Sequence, residues 1–241
     1  QAENLFHQAL EIERDLLGEL APDHAETLGQ FAIMKGEARQ FEEAFEIVEK
    51  IGQLQETNFG YNSREYASNL RKKARIYTDQ GDYRAAVQVK REIVTITEAY
   101  SGTNSAFYAA ALNNLALSVL DAHEANTDTT QEAEELMDQA LAINAQLPDI
   151  DKDEYIAHLG NYSAIMLEQR NYEKALEYRL RPLELTRELY GEDHLEYALE
   201  LEHASQIYSW SGDHDKASPL LAAAEKIVVA SVSEDHPRYR D

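Results

Sequence analysis

The chain has 241 residues, of which 44% are hydrophobic, and its 45 acidic and 22 basic residues give a formal net charge of -23. A charge of this size repels nucleic-acid backbones and anionic membranes, so we expect neither as a partner. There is no Cys, which excludes disulfides, thiolate metal sites and a cysteine nucleophile. The longest apolar run, 106–112, is far too short to span a membrane.

An internal repeat organises the chain from one end to the other. An alanine recurs every 42 residues, with a single step of 47, and leucine, tyrosine and glycine positions keep the same period. These columns are Ala2, Ala44, Ala86, Ala133, Ala175 and Ala217; Leu28, Leu70, Leu112, Leu159 and Leu201; Tyr66, Tyr108, Tyr155, Tyr197 and Tyr239; and Gly18, Gly60, Gly102 and Gly191. A shared period with one shared insertion indicates a repeat architecture. We assign the five extra residues to the polar stretch His123 to Gln131.

Each repeat contains two stretches with helical periodicity. The first, seen at 66–80, and the second, seen at 83–100, place apolar residues three and four positions apart, which is typical of a helix with one buried face. Gly81 and Gly212 are predicted to end first helices. Asp82, Asn171 and Asp213 are predicted to cap second helices, and Asp193 to cap the first helix that follows it. Because a helix pair cannot bury its apolar face alone, we predict an all-α, right-handed superhelical solenoid of antiparallel helix pairs.

The column positions set the predicted boundaries of one continuous array. We predict a half-repeat at 1–20, full repeats at about 22–59, 63–101, 105–147, 153–190 and 195–232, and the start of a further repeat at 234–241. The chain begins at Gln1 without a Met and has no dedicated capping helices, so we expect it to be part of a longer protein. Its exposed half-repeats also suggest end-to-end self-association.

The repeat resembles the tetratricopeptide family. That family has a small residue, a Tyr, a Gly, an aromatic residue and an Ala at fixed offsets, which are filled here by Ala74, Tyr77, Gly81, Tyr83 and Ala86. The 42-residue period is similar to that of the kinesin light chain type. Features of that type are the turn Gly191-Glu192-Asp193-His194, the helix segment Ala109-Ala110-Ala111-Leu112-Asn113-Asn114-Leu115-Ala116 and the segment Ala217-Ser218-Pro219-Leu220.

Three residues depart from the family pattern. Lys90 and Arg179 stand in the second helix at a position that is usually apolar. Pro182 replaces a small residue in mid-helix, and we expect it to bend the helix between Tyr172 and Tyr190 because proline removes one backbone hydrogen bond.

The resemblance implies that the protein binds an extended peptide along a concave groove lined by the first helices. We predict that Arg71, Lys72 and Arg75 take an acidic side chain or a terminal carboxylate, because Arg and Lys donate well to carboxylates. Other predicted groove residues are Asn113, Asn114, Asn161, His203, Gln206 and Trp210, with Trp210 or Tyr162 accepting an apolar side chain. The alternative for the three basic residues is pairing with the abundant Glu and Asp of the chain itself.

Two other function classes are alternatives to a peptide-binding scaffold. The first is a regulatory or sensor domain that controls an effector such as a protease or nuclease. The second is a helical enzyme that uses the eight His and the carboxylates, but the chain has no His-Glu-x-x-His, phosphate-binding glycine loop or Gly-x-Ser-x-Gly. The dense group Asp213-His214-Asp215 falls on a turn between helices and is interpreted as a capped turn. We therefore predict no enzyme activity, no cofactor and no metal, and we expect a cytoplasmic location.

Overall fold

A computed structural model of the protein describes residues 2–18, 21–122 and 129–233. All regular elements in these ranges are helices. They are α1 (Ala2–Leu17), α2 (Pro22–Glu37), α3 (Phe41–Phe59), α4 (Arg64–Gln80), α5 (Tyr83–Ser101), α6 (Ala106–Asp121), α7 (Thr129–Asn144), α8 (Lys152–Glu168), α9 (Tyr172–Tyr190), α10 (Leu195–Trp210) and α11 (His214–Ser233).

The chain divides into two compact units, Gln1–Thr129 (unit 1) and Thr130–Asp241 (unit 2). In unit 1 each helix from α1 to α5 packs against the next, and α2 also packs against α4. In unit 2 the helices α8 to α11 pack in the same consecutive way. The division falls after the first residue of α7, within the stretch to which we assign the extra residues of the repeat. Residues 123–128 of the predicted insertion lie outside the described part of the chain, as does the predicted repeat start at 234–241.

The repeated small residues of the columns are buried in the helix packing. Ala44, Ala86, Ala133, Ala175 and Ala217 are all at most 4% exposed. A second column of small residues, Ala32, Ala74, Ala116, Ser163 and Ser205, is buried to the same degree. The two serines each donate a hydrogen bond of 2.8 Å to the carbonyl of a column alanine, Ser163 to Ala175 and Ser205 to Ala217. Small side chains let neighbouring helices approach closely, and the hydroxyls satisfy a carbonyl there.

The predicted helix ends are confirmed at the turns between paired helices. Asp82, Asn171 and Asp213 each accept a hydrogen bond from the backbone amide three residues later. Gly81 and Gly212 have φ of 85° and 86°. The same turn carries Arg39 and Arg170, which hold φ of 61° and 57° without being glycine. The cap of α10 differs from our prediction: His194, not Asp193, accepts from the backbone amide of Glu196 at 3.2 Å.

Pro182 lies within α9, which runs as one helix from Tyr172 to Tyr190. Its ring is buried, and the amide hydrogen that it lacks is the one that would reach the carbonyl of Tyr178. The bend that we expect at this residue stays a prediction. No helix in the described part of the chain is both long and apolar enough to cross a membrane.

A buried histidine in unit 2 leads us to expect that this unit is sensitive to acid. His158 in α8 is 4% exposed, and its Nδ1 lies 2.7 Å from the side-chain nitrogen of Asn144. Burial lowers the pKa of His158 from 6.5 to about 4. As the pH falls, the unfolded chain therefore protonates at His158 before the folded chain does. The stability contributed by neutral His158 is complete above pH 6.5 and is lost as the pH falls towards 4.

We expect His158→Gln to reduce this acid sensitivity, because glutamine has no proton to take up in this range. Urea denaturation between pH 4 and 7 measures the effect. The stability of the wild-type protein falls relative to the variant by up to about 1.4 kcal/mol per pH unit, the value for one proton. His7→Gln, at an exposed residue of α1, is the control for replacing a histidine as such. Equal slopes for wild type and His158→Gln would refute the assignment.

Candidate functional site

The three basic residues of the predicted groove lie on α4. This helix begins after Ser63, whose hydroxyl accepts from the backbone amide of Tyr66 at 3.2 Å. Arg71 and Arg75 are four residues apart and therefore share one face of the helix, whereas Lys72 points about 100° away from Arg71. The partners of the three side chains nevertheless differ.

Lys72 is committed to an ion pair inside unit 1. Its ammonium lies 2.7 Å from the carboxylate of Glu26 on α2, and its side chain is only 12% exposed. The aliphatic part of Lys72 crosses α2 directly above Gly29, where any Cβ would come within 2.3 Å of it. Glycine at this position makes room for the lysine. Lys72 thus follows the alternative expectation, in which a basic residue pairs with an acidic residue of the chain itself.

Arg75 is also paired, but at the surface. Its guanidinium lies 2.6 Å from Glu37 and 3.9 Å from Asp79, and the side chains of Arg75 and Glu37 are each 54% exposed. Exposed pairs of this kind contribute about 0–1 kcal/mol to stability. Arg75 can therefore exchange Glu37 for another carboxylate at little energetic cost.

Arg71 has no hydrogen-bond or ion-pair partner among the described residues, and its side chain is exposed. It borders a cavity of about 320 Å³ between α4, α5 and α6. The other polar side chains of its lining are those of Arg75, Thr78, Lys90 and Asn114, and the apolar ones are those of Ala111 and Ile93. We call this space the Lys90 cavity. It is lined by three basic residues and, within the described chain, by no acidic one.

Lys90 is the residue of this site that our sequence prediction missed. It reaches from α5 towards α6, where its ammonium donates to the carbonyl of Asn114 at 3.2 Å and to the hydroxyl of Ser118. Burial lowers the pKa of Lys90, and the charge of Asp121 only partly opposes this effect. The signal in the sequence was its charge at a usually apolar position of the repeat.

The two asparagines of α6 differ in exposure. Asn114 is exposed and lines the Lys90 cavity. Asn113, which we predicted to face the groove, is only 4% exposed and lies within the helix packing. Adjacent residues of an α-helix point about 100° apart, so the two side chains do not share one face.

One predicted groove residue of unit 2, His203, lies beside an internal ion pair. Arg179 donates to Glu200 at 3.0 Å, to Nδ1 of His203 at 3.3 Å and to the carbonyl of Gly160 at 3.3 Å. Burial alone would raise the pKa of Glu200, but His203 and Arg179 outweigh it and hold the pKa below its ordinary value. His203 is thus part of this cluster.

The remaining predicted residues of unit 2 are more exposed, with one exception. Gln206 is exposed and Trp210 is 54% exposed, while Asn161 is half-buried and makes contacts within the chain. Tyr162, which we predicted as an acceptor of an apolar side chain, is fully buried. Its ring packs 4.1 Å from that of Tyr178, and its hydroxyl donates to Asp138 at 2.7 Å. It is a core residue and has no surface to offer a ligand.

The described part of the chain holds no group of three or more His, Asp and Glu residues arranged to bind a metal ion. The lining of the Lys90 cavity offers hydrogen-bond donors and positive charge. The Lys90 cavity offers cationic donors, whereas the equivalent cluster in unit 2 is already satisfied internally by Glu200.

These helix pairs have the fold of the tetratricopeptide-type repeats. A putative kinesin light chain of Podosopora anserina with nearly identical TPR-like repeats has a TM-score of 0.71 and 18% identity over 88% of this chain and 98% of that chain. BtubC (BKLC) from P. vanneervenii gives a TM-score of 0.79 and 17% identity over 99% and 94%. A MamA protein gives 0.56 and 16% over 91% and 98%.

The predicted fold class, with repeats like those of kinesin light chains, is confirmed by these structures. At such low identity the likeness concerns the fold alone. No protein-family model matches the chain, and no curated protein matches it.

Proposed function

We propose that the protein is a protein-interaction module and that unit 1 binds an extended segment of a partner protein that carries a carboxylate. The observation that supports this most strongly is the position of Arg71. In a chain with 45 acidic residues, this arginine lacks a partner in the described structure and borders a cavity that no described acidic residue lines. An excess of acid makes internal pairing easy, so a basic site without it favours an external ligand.

The chemistry of the cavity fits a peptide segment rather than a lone charge. Arg71 and Arg75 can donate to a carboxylate, and the side-chain amide of Asn114 offers one acceptor and two donors, which suit a peptide backbone. Helical repeats of this fold present side chains from successive first helices, and here α4 and α6 supply those residues.

Arg71→Glu is expected to weaken the binding of acidic peptides by roughly tenfold or more, the range for a hydrogen bond to a charged group. A peptide array screened with the whole chain identifies binders, and titration calorimetry of the best acidic peptide measures the affinity. Arg14→Glu is the matched control, since it changes the net charge equally at an exposed position of α1. The proposal fails if acidic peptides bind no better than neutral ones, or if both variants behave alike.

A further inference from the structure

We propose that the Lys90 cavity is a binding site for a single carboxylate of the partner. Lys90 on α5 is the main ligand of that carboxylate, and Arg71 lies at the mouth of the cavity. This inference rests on the proposed function and specifies the chemistry of its ligand. It comes from comparing the two places in the chain where a basic residue stands in the same position of the repeat.

Lys90 and Arg179 are equivalent residues. Lys90 lies four residues after the column alanine Ala86, and Arg179 lies four residues after Ala175. The other four members of this column, Phe6, Val48, Met137 and Leu221, are all apolar. Val48 and Met137 are fully buried, whereas Leu221 in α11 is 42% exposed. Where this position is buried between helices, a basic residue needs a partner inside the packing.

In unit 2 the partner of the basic residue is supplied by the next first helix. Glu200, which directly precedes the column leucine Leu201, lies 3.0 Å from Arg179, and the two side chains are only 10% and 11% exposed. In unit 1 the equivalent residue, directly before Leu112, is Ala111. Arg179 of unit 2 therefore has a carboxylate partner on the next first helix, whereas Lys90 of unit 1 has an alanine at the equivalent position.

The space of the missing carboxylate remains open in unit 1. Ala111 lines the Lys90 cavity, which has a volume of about 320 Å³. This volume is many times the ~30 Å³ share of one water in the liquid. Lys90 has three N–H groups and the structure gives it two acceptors, both neutral. Its charge has no carboxylate within ion-pair distance in the described chain, which the lowered pKa of Lys90 also reflects.

The mouth of the cavity differs from its counterpart in unit 2 in a way that favours an outside ligand. Arg71 follows Leu70 directly, and the equivalent residue after Leu159 is Gly160. Unit 2 has a glycine where Arg179 must pass, and any Cβ there would lie 3.3 Å from the guanidinium. Unit 1 has instead an exposed arginine that can attract a carboxylate and hold its second oxygen.

The test uses the full chain and three small probes. They are acetyl-Ala-Ala-Glu-Ala-Ala-amide, the same peptide with Gln in place of Glu, and the Gln peptide with a free terminal carboxylate. NMR titration follows the side-chain signals of Lys90 and the backbone amide of Asn114. We expect the two carboxylate peptides to shift these signals and the blocked Gln peptide not to do so. A stronger response to one carboxylate peptide distinguishes a side-chain from a terminal carboxylate.

Ala111→Glu is the decisive variant, because it supplies the missing carboxylate from within the chain, as Glu200 does in unit 2. It is expected to weaken binding of the carboxylate peptides by roughly tenfold or more and to raise the pKa of Lys90 without any peptide. Lys90→Met weakens binding to a similar extent while keeping an unbranched side chain. Gln88→Glu adds the same charge at an exposed position of α5 and leaves binding unchanged.

The outcomes separate this inference from the proposed function. If Arg71→Glu weakens peptide binding but Ala111→Glu and Lys90→Met do not, the carboxylate-binding site at Lys90 is refuted and the proposed function stands. If Ala111→Glu raises the pKa of Lys90 but no carboxylate peptide binds the wild type, the proposed function fails. The inference that the Lys90 cavity binds a carboxylate of a partner then fails with it. Inorganic phosphate serves as a further probe, and tighter binding of phosphate than of carboxylate overturns the assignment of ligand class.

Discussion

Glu200→Ala is expected to destabilise unit 2 by about 3 kcal/mol, the lower end of the range for breaking a buried ion pair. The side chains of Glu200 and Arg179 are only 10% and 11% exposed, so removal of the carboxylate leaves the guanidinium without a charged partner in a poorly solvated place. Hydrogen exchange of the α9 and α10 amides measures the loss locally, which suits repeat proteins because they need not unfold in one step.

Two further variants separate the ion pair from simple loss of side-chain volume. Glu202→Ala removes an exposed carboxylate from the same helix and changes protection by less than about 0.5 kcal/mol. The double replacement Arg179→Met with Glu200→Ala restores much of the stability, because no buried charge is then left unpaired. If the double variant is as unstable as Glu200→Ala alone, the effect is one of packing and our explanation is wrong.

Tyr162→Ala is expected to destabilise unit 2 by about 4 kcal/mol, as for other buried aromatic residues replaced by alanine. The ring of Tyr162 is fully buried, packs on Tyr178 of α9 and reaches Asp138 of α7. Its loss removes contacts with two helices at once. Urea denaturation followed by circular dichroism measures the change in the unfolding midpoint.

Tyr162→Phe separates the ring from its hydroxyl. It loses only the hydrogen bond to Asp138 and is expected to cost about 1 kcal/mol. Tyr83→Ala, at a residue that is 42% exposed, is the control for loss of a partly exposed aromatic side chain and is expected to cost less than half as much as Tyr162→Ala. Equal effects of Tyr162→Ala and Tyr83→Ala would contradict the core position of Tyr162.

The fold was predictable because the same residue pattern recurs in each repeat, so a position that is ambiguous in one repeat is clarified by its equivalents in the others. Five column alanines and several capping residues point to the same helix pairs, and the structure confirms both their burial and the caps at Asp82, Asn171 and Asp213. The division into two units was not predicted. It falls in the stretch to which we assign the five extra residues, and the periodicity of the columns does not report how contacts cluster within each unit.

The site was less predictable because its properties depend on the direction of single side chains. The repeat phase placed Asn113 and Asn114 together, yet a rotation of about 100° per residue buries one and exposes the other. The pairing of Lys72 with Glu26 joins residues in different repeats, and only the structure shows that Gly29 clears the way. Lys90 could have been found by comparing Ala111 with Glu200 in their shared column.

The equivalence of Ala111 and Glu200 also has a genetic consequence. Alanine and glutamate codons can differ by a single nucleotide, so one point mutation at this column would exchange an internal contact for an open cavity, or the reverse. The helices around it need not change, because the same backbone already accommodates both residues in one chain. Repeat arrays of this kind could therefore gain or lose a binding position within one mutational step, while each repeat keeps its place in the fold.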